Sequence, residues 1–112
     1  MEINVNNKKY KLNVEQLTDM IYRTYNYYEN NVLYVNKEDN YISYFDSRDI
    51  LVNDDCKVLG NVTSFLMCED EYNELFQMYN NEEISEDEFY VKENELLNKE
   101  FNNMLYVLYG RL

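Results

Sequence analysis

Six residues, Ile84-Ser85-Glu86-Asp87-Glu88-Phe89, constrain the fold of this chain more tightly than any others. Ser85 is a strong N-cap. Glu88, three residues later, can return a hydrogen bond to the cap's backbone N–H, and Ile84 and Phe89 take the two positions of a hydrophobic staple. A helix therefore starts at Glu86. Upstream, Phe65, Cys68, Tyr72, Leu75, Phe76 and Tyr79 fall in one narrow sector of a helical wheel, with Asp70, Glu71 and Glu74 opposite. Downstream, Phe89, Leu97, Phe101, Met104, Leu105 and Leu108 recur at helical spacing, Glu93 and Glu100 border that stripe, and Gly110 is a fitting stop. The spacing predicts an antiparallel helical hairpin over residues 64–109, turning around Asn80 to Ser85, with its first helix beginning within a few residues of Gly60.

The chain before the hairpin reads as short strands around one helix. Glu2 to Val5 and Lys9 to Leu12 flank Asn6-Asn7, a pair that tolerates positive φ, which predicts a β-hairpin. Asn13 caps a helix with Gln16 completing the box, and Val14, Leu17, Ile21, Tyr25 and Tyr28 form its apolar stripe. Val32 to Val35 and Tyr41 to Phe45 bracket a polar loop of hairpin length, and Ile50 to Val52 and Lys57 to Leu59 are further strand candidates. Tyr34, Tyr41 and Tyr44 suit half-buried sheet positions. Because only one helix separates any of these strands, the expectation is an antiparallel sheet of three to five strands. The whole is an α+β single domain over residues 1–112: hairpin, N-terminal helix and strands in 1–63, acidic helical hairpin in 64–109.

Charge is distributed very unevenly. The 112 residues carry 10 Lys and Arg against 22 Asp and Glu, a net charge of −12. That exceeds the roughly 2–8 units that suit a small soluble domain, and self-repulsion of this size costs stability. Residues 69–100 alone hold 12 acids against Lys92 and Lys99, whereas residues 1–68 hold 10 acids against seven bases. Nearly all the excess sits on the predicted hairpin, where Asp70, Glu71, Glu74, Glu82, Glu83, Glu86, Asp87, Glu88 and Glu95 form the candidate partner-binding face. His, Trp, Pro and Ala are absent and Gly occurs twice, a bias toward AT-rich codons that suggests a low-GC bacterial, phage or plasmid gene.

Several chemistries find no support in this composition. Without His there is no Ser/His/Asp or Cys/His set, and two glycines cannot build a glycine-rich phosphate loop. Cys56 and Cys68 make no metal pattern, and Cys68 falls on an apolar helix face as a small buried hydrophobe. Ile84 to Phe89 matches the second half of an EF-hand, but Gln77 and Tyr79 stand at its first and third ligand positions and Glu82 stands where glycine is needed. The expectation is therefore no enzyme, no cofactor and no metal. Nothing at the N-terminus resembles a signal peptide and no apolar run approaches membrane length, so the expected setting is the cytoplasm, without membrane contact.

Two resemblances bear on function. ISEDEFxxKxxxLL, from Ile84 to Leu97, resembles the short C-terminal helical-hairpin family (SHOCT), a two-helix module with an oligomerisation or docking role. It covers about 25 residues, has Glu82 or Glu83 where that family usually has Gly, and follows independently from staple, box and amphipathic leucines; we read it as local convergence. Over the whole chain, size, charge, Tyr- and Asn-rich composition and an acidic helical face resemble the small phage-encoded anti-CRISPR proteins that act as DNA mimics. Carboxylates at i and i+4, such as Asp70 and Glu74, lie about 6 Å apart along a helix, comparable to successive phosphates on one strand. This resemblance implies an inhibitor that occupies the Lys/Arg groove of a basic nucleic-acid-binding protein, a Cas nuclease being favoured, and that does not itself bind nucleic acid. An acidic immunity protein or antitoxin would use the same physics, and a helical-hairpin adaptor is the alternative from another class. Self-association as a homodimer stays open.

Overall fold

A computed structural model describes residues 1–49 and 54–112. The architecture is α+β, with the strands β1 (Glu2–Val5), β2 (Lys8–Leu12), β3 (Asn31–Asn36), β4 (Tyr41–Asp46) and β5 (Cys56–Asn61) in one sheet ordered β1-β2-β4-β3-β5. The helices are α1 (Val14–Tyr27), α2 (Glu69–Asn80) and α3 (Glu86–Arg111), with a 3₁₀ turn at Val62–Phe65. The predicted strand Ile50 to Val52 lies outside the described residues. One core joins Ile3, Leu12, Leu33, Val35, Ile42 and Leu59 of the sheet to Leu17, Met20 and Ile21 of α1 and to Leu97, Phe101, Met104 and Leu108 of α3.

Local chemistry accounts for most elements. Asn6 and Asn7 both take positive φ, 51° and 65°, which gives the two-residue turn whose twist suits a hairpin. The Asn13 side chain accepts from the Gln16 backbone N–H at 2.9 Å, but the Gln16 side chain does not close the expected box; its oxygen lies 3.4 Å from the Tyr41 hydroxyl. The stripe of α1 is Leu17, Met20, Ile21 and Thr24, with Tyr25 half-buried. Val14 and Tyr28 are exposed, against expectation. Val14 opens the helix before it reaches the core, and Tyr28 lies past its end in left-handed conformation (φ 53°), which turns the side chain off the stripe. Tyr34, Tyr41 and Tyr44 are half-buried.

Two expectations need correction. The sheet is mixed, not antiparallel: β2 runs parallel to β4, pairing Lys11 with Tyr41 and Leu12 with Ile42. The β3–β4 hairpin inserts its second strand beside β2, so α1 links two strands that are not neighbours. That crossover escapes a rule that counts only the helices between consecutive strands. The N-terminal helix is the first of three and follows two strands, the order that the Asn6-Asn7 hairpin and the Asn13 cap predict. Finally, α2 begins at Glu69, leaving Phe65 in the 3₁₀ turn and Cys68 as a residue before the helix; both are buried all the same.

Gly110 does not stop α3 as expected, since the helix runs on to Arg111. Gly60 lies inside β5 at φ 137°, beside the register shift at Leu33/Tyr34. A Cβ there would come within 2.5 Å of Arg111 Nη1. That guanidinium donates to the Leu59 carbonyl (3.1 Å) and the Ser64 hydroxyl (2.9 Å) and lies over the Phe65 ring at 4.1 Å. The same contacts carry α3 through Gly110 to Arg111, because its last turn is anchored to β5. Gly60→Ala should therefore destabilise the fold through both backbone strain and loss of the arginine seat. Phe101→Ala should lose about 3–5 kcal/mol in urea unfolding, and the half-buried Phe76→Ala clearly less. Equal losses for the two phenylalanines would mean that the hairpin's upper half is packed as tightly as its base.

Candidate partner-binding surface

The hairpin turn is built by two motifs in succession. The N–H of Glu83 donates to the Met78 carbonyl (2.9 Å) and that of Glu82 to Tyr79 (3.1 Å), the bond pair of a Schellman motif. Glu82 fills its left-handed position at φ 59°, where glycine is usual. Ser85 then caps α3, its Oγ accepting from the Glu88 N–H at 3.2 Å. Glu88 answers with its carboxylate 3.4 Å from the Ser85 hydroxyl, not at the cap's backbone N–H. Glu86, Asp87 and Glu88 occupy the first turn, where the helix dipole favours negative charge. Phe89 is buried, its ring centroid 5.7 Å from Phe76 and 4.7 Å from Tyr79, which ties the two helices together just below the turn.

All nine candidate acids are exposed, but they fall into three groups. Glu82, Glu83, Glu86, Asp87 and Glu88 crowd the tip, a stretch without any Lys or Arg. Glu71, Glu74 and Glu95 border a groove between α2 and α3 floored by Leu75, Met78 and Leu96. Lys92 and Lys99 border it too, and Lys99 donates to both Glu71 oxygens at 3.0 and 3.2 Å. That hydrogen bond holds the Lys99 ammonium above its ordinary pKa. Asp70 lies on the exposed side of α2, one turn from Glu74. The groove is therefore close to charge balance, and the density of uncompensated carboxylates is greatest at the tip.

Two further acids of the hairpin are internal. Glu93 is 5% exposed and Glu100 fully buried. Tyr72 donates its hydroxyl to Glu93 Oε2 at 2.5 Å, while Asn26 Nδ2 contacts the Tyr72 oxygen at 3.3 Å. The Tyr25 hydroxyl donates to Glu100 Oε2, and the Met67 N–H (2.8 Å) and Asn103 Nδ2 (2.9 Å) donate to Oε1. The Tyr25 and Tyr72 rings stack between the two carboxylates, centroids 4.3 Å apart. Burial opposes ionisation of Glu100, but these donors outweigh it and hold its carboxyl below the usual value of 4.5. Burial, reinforced by the adjacent carboxylates, pushes both phenols far above the usual tyrosine range.

Sequence periodicity held the signal for this pair, although Glu93 and Glu100 read only as bordering the stripe. Glu93 lies four residues after Phe89 and four before Leu97; Glu100 lies three after Leu97 and four before Met104. A carboxylate at such a spacing is on the packed face. Its phenol partners are far off in sequence and carry no local mark. The neighbouring Cys68 thiol is buried and pushed up to about 11 by burial and by Glu100, so it remains protonated near neutral pH.

Among the described residues, no group of three or more His, Cys, Asp or Glu is placed to hold a metal ion, and no helix is long and apolar enough to cross a membrane. No protein-family model matches the chain, and no curated protein and no solved structure matches it.

The buried carboxylate sets a pH dependence. Because the folded pKa of Glu100 is depressed, its contribution is complete above the unfolded value and disappears as pH falls through the lower folded one. Glu100→Gln can keep its oxygen on the Met67 and Asn103 donors only by turning its NH₂ to the Tyr25 hydroxyl, which must then accept, and it exchanges charge-assisted hydrogen bonds for neutral ones, so it should cost about 1–3 kcal/mol at neutral pH. It should also flatten the loss of stability on acidification. Denaturant unfolding across the acid range checks both, and a variant as stable as the parent, with the same acid slope, would show that Glu100 is not held as a carboxylate. Glu71→Gln, on the exposed groove rim, should leave the melting temperature nearly unchanged.

Proposed function

We propose that this protein is an acidic inhibitor that imitates nucleic acid and blocks a basic nucleic-acid-binding protein, with an anti-CRISPR acting on a Cas effector nuclease as the favoured case. The observation that carries the reading is the exposed run of five carboxylates from Glu82 to Glu88, uninterrupted by a base, at the end of a packed hairpin. About 16 Å of helix separates Glu86 from Leu97, the first α3 residue of the main core, so the tip is carried clear of the sheet. A preorganised row of carboxylates suits a groove lined with Lys and Arg, because neither side must reorganise to meet the other. Exposed tyrosines beside it, Tyr79 and Tyr90, add rigid contact surface at low entropy cost. An immunity protein or antitoxin directed at a nuclease would present the same surface, and the identity of the captured partner separates the two.

Individual exposed ion pairs contribute about 0–1 kcal/mol. Single substitutions on the face should therefore be tolerated, while reversal of a whole cluster should not. Replacing Glu82, Glu83 and Glu86 together with Lys should abolish binding to the partner captured from a bacterial lysate. Replacing Asp70, Glu71 and Glu74 should weaken it strongly, and circular dichroism should show both variants folded. Affinity should fall with added salt as screening shortens the reach of each charge, and the partner's own DNA or RNA should compete. A complex indifferent to salt, to nucleic acid and to both reversals would exclude mimicry and favour a helical-hairpin adaptor.

A further inference from the structure

A second recognition feature lies on the other side of α2. Glu71, Glu74, Leu75 and Met78 face the groove, whereas Glu69, Asn73 and Phe76 face a partly enclosed cleft of about 260 Å³. At about 100° per residue these two sets point in nearly opposite directions from the helix axis. The cleft is closed on its far side by Tyr25 and Tyr28 at the end of α1 and by Glu29 beyond it. Three aromatic residues and two acids thus line one cavity, and no Lys or Arg is among the described residues lining it.

We propose that this cleft receives a single arginine side chain of a basic partner protein. Its volume is below the roughly 300–1,000 Å³ of sites for small molecules and cofactors, and it suits one side chain better than a free ligand. Ring surface from Tyr25, Tyr28 and Phe76 offers the stacking that a planar guanidinium exploits and a neutral side chain does not. Glu69 and Glu29 supply charge-assisted acceptors, and Asn73 supplies a side-chain carbonyl. Glu29 is held for this role: Asn31 Nδ2 donates to its Oε2 at 3.3 Å and also contacts Thr24 Oγ1 at 3.3 Å. Arg23 approaches the other oxygen at only 3.8 Å, so one charge of the pair is partly offset and Glu69 is the stronger acceptor. Lysine fits less well, because a compact ammonium cannot stack on the rings and bridge two carboxylates at once. The site does not depend on the tip or the groove, and it stands even if nucleic-acid mimicry does not.

The test titrates N-acetyl-arginine amide into the full-length protein and follows the ring and side-chain amide signals by NMR. N-acetyl-citrulline amide, the uncharged isostere, serves as the comparison. Saturable shifts at Tyr25, Phe76 and Asn73 are expected with arginine and not with citrulline. Glu69→Gln, at an exposed residue that leaves the fold intact, should weaken binding about fivefold. Asp70→Asn, the adjacent acid about 100° round the helix and outside the cleft lining, should leave it unchanged. Equal responses to arginine and citrulline, shifts confined to the tip or the α2–α3 groove, equal weakening in the Asp70→Asn variant, or no saturation at the solubility limit would each overturn the proposal. Failure of the tip reversal to affect partner binding bears on mimicry alone, since neither it nor the groove reversal touches this cleft.

Discussion

A buried carboxylate without a cation is the constraint around which the helices of this protein are arranged. Moving such a group out of water costs several kcal/mol unless its oxygens are met by well-placed donors. Glu100 meets them from three parts of the chain: Tyr25 of α1, the Met67 backbone just before α2, and Asn103 one turn along α3. Glu93, seven residues earlier, takes one such donor, the Tyr72 hydroxyl of α2, and the two phenols stack on one another. A hydrophobic stripe alone would let α2 and α3 slide or rotate against α1. Hydrogen bonds in low dielectric remove that freedom, because a small displacement leaves a carboxylate unpaired.

How far the amino-acid sequence reveals such a structure depends on the range of the interaction. Local devices were legible: the Asn13 and Ser85 caps, the Asn6-Asn7 turn, and the helical spacing from Phe89 to Leu108. Non-local ones were not. The parallel pairing of β2 with β4 depends on where a later hairpin docks, and the passage of α3 through Gly110 depends on Arg111 reaching Leu59 and Ser64. Arg111 stands beside Gly110, but its acceptors lie 52 and 47 residues earlier in the chain. The nine acids of the candidate surface were legible as exposed residues, but their division into tip, groove and outer face required the register of α2 against α3.

That register also redistributes the charge. Of the 12 acids between Glu69 and Glu100, two are internal and serve the fold. Lys92 and Lys99, the two bases of the segment, converge on the α2–α3 groove. What remains uncompensated is concentrated where Glu82 holds a left-handed backbone position and α3 begins. Carboxylates in that first turn are partly stabilised by the helix dipole, which offsets some of the repulsion between neighbours. The fold thus separates acids that hold the hairpin in place from acids that it displays.

If the protein imitates nucleic acid as proposed, its displayed acids meet the basic groove of a nucleic-acid-handling partner. Zero-length carbodiimide coupling tests it most directly, since it joins only carboxylates and amines already in contact. After coupling the complex with its captured partner, peptide mapping should find Glu82, Glu83, Glu86, Asp87 or Glu88 bonded to lysines that the partner's nucleic acid protects from modification. Coupling that runs instead through Lys8, Lys9 or Lys11 of the β1–β2 hairpin, or that reaches partner lysines which nucleic acid leaves exposed, would contradict it.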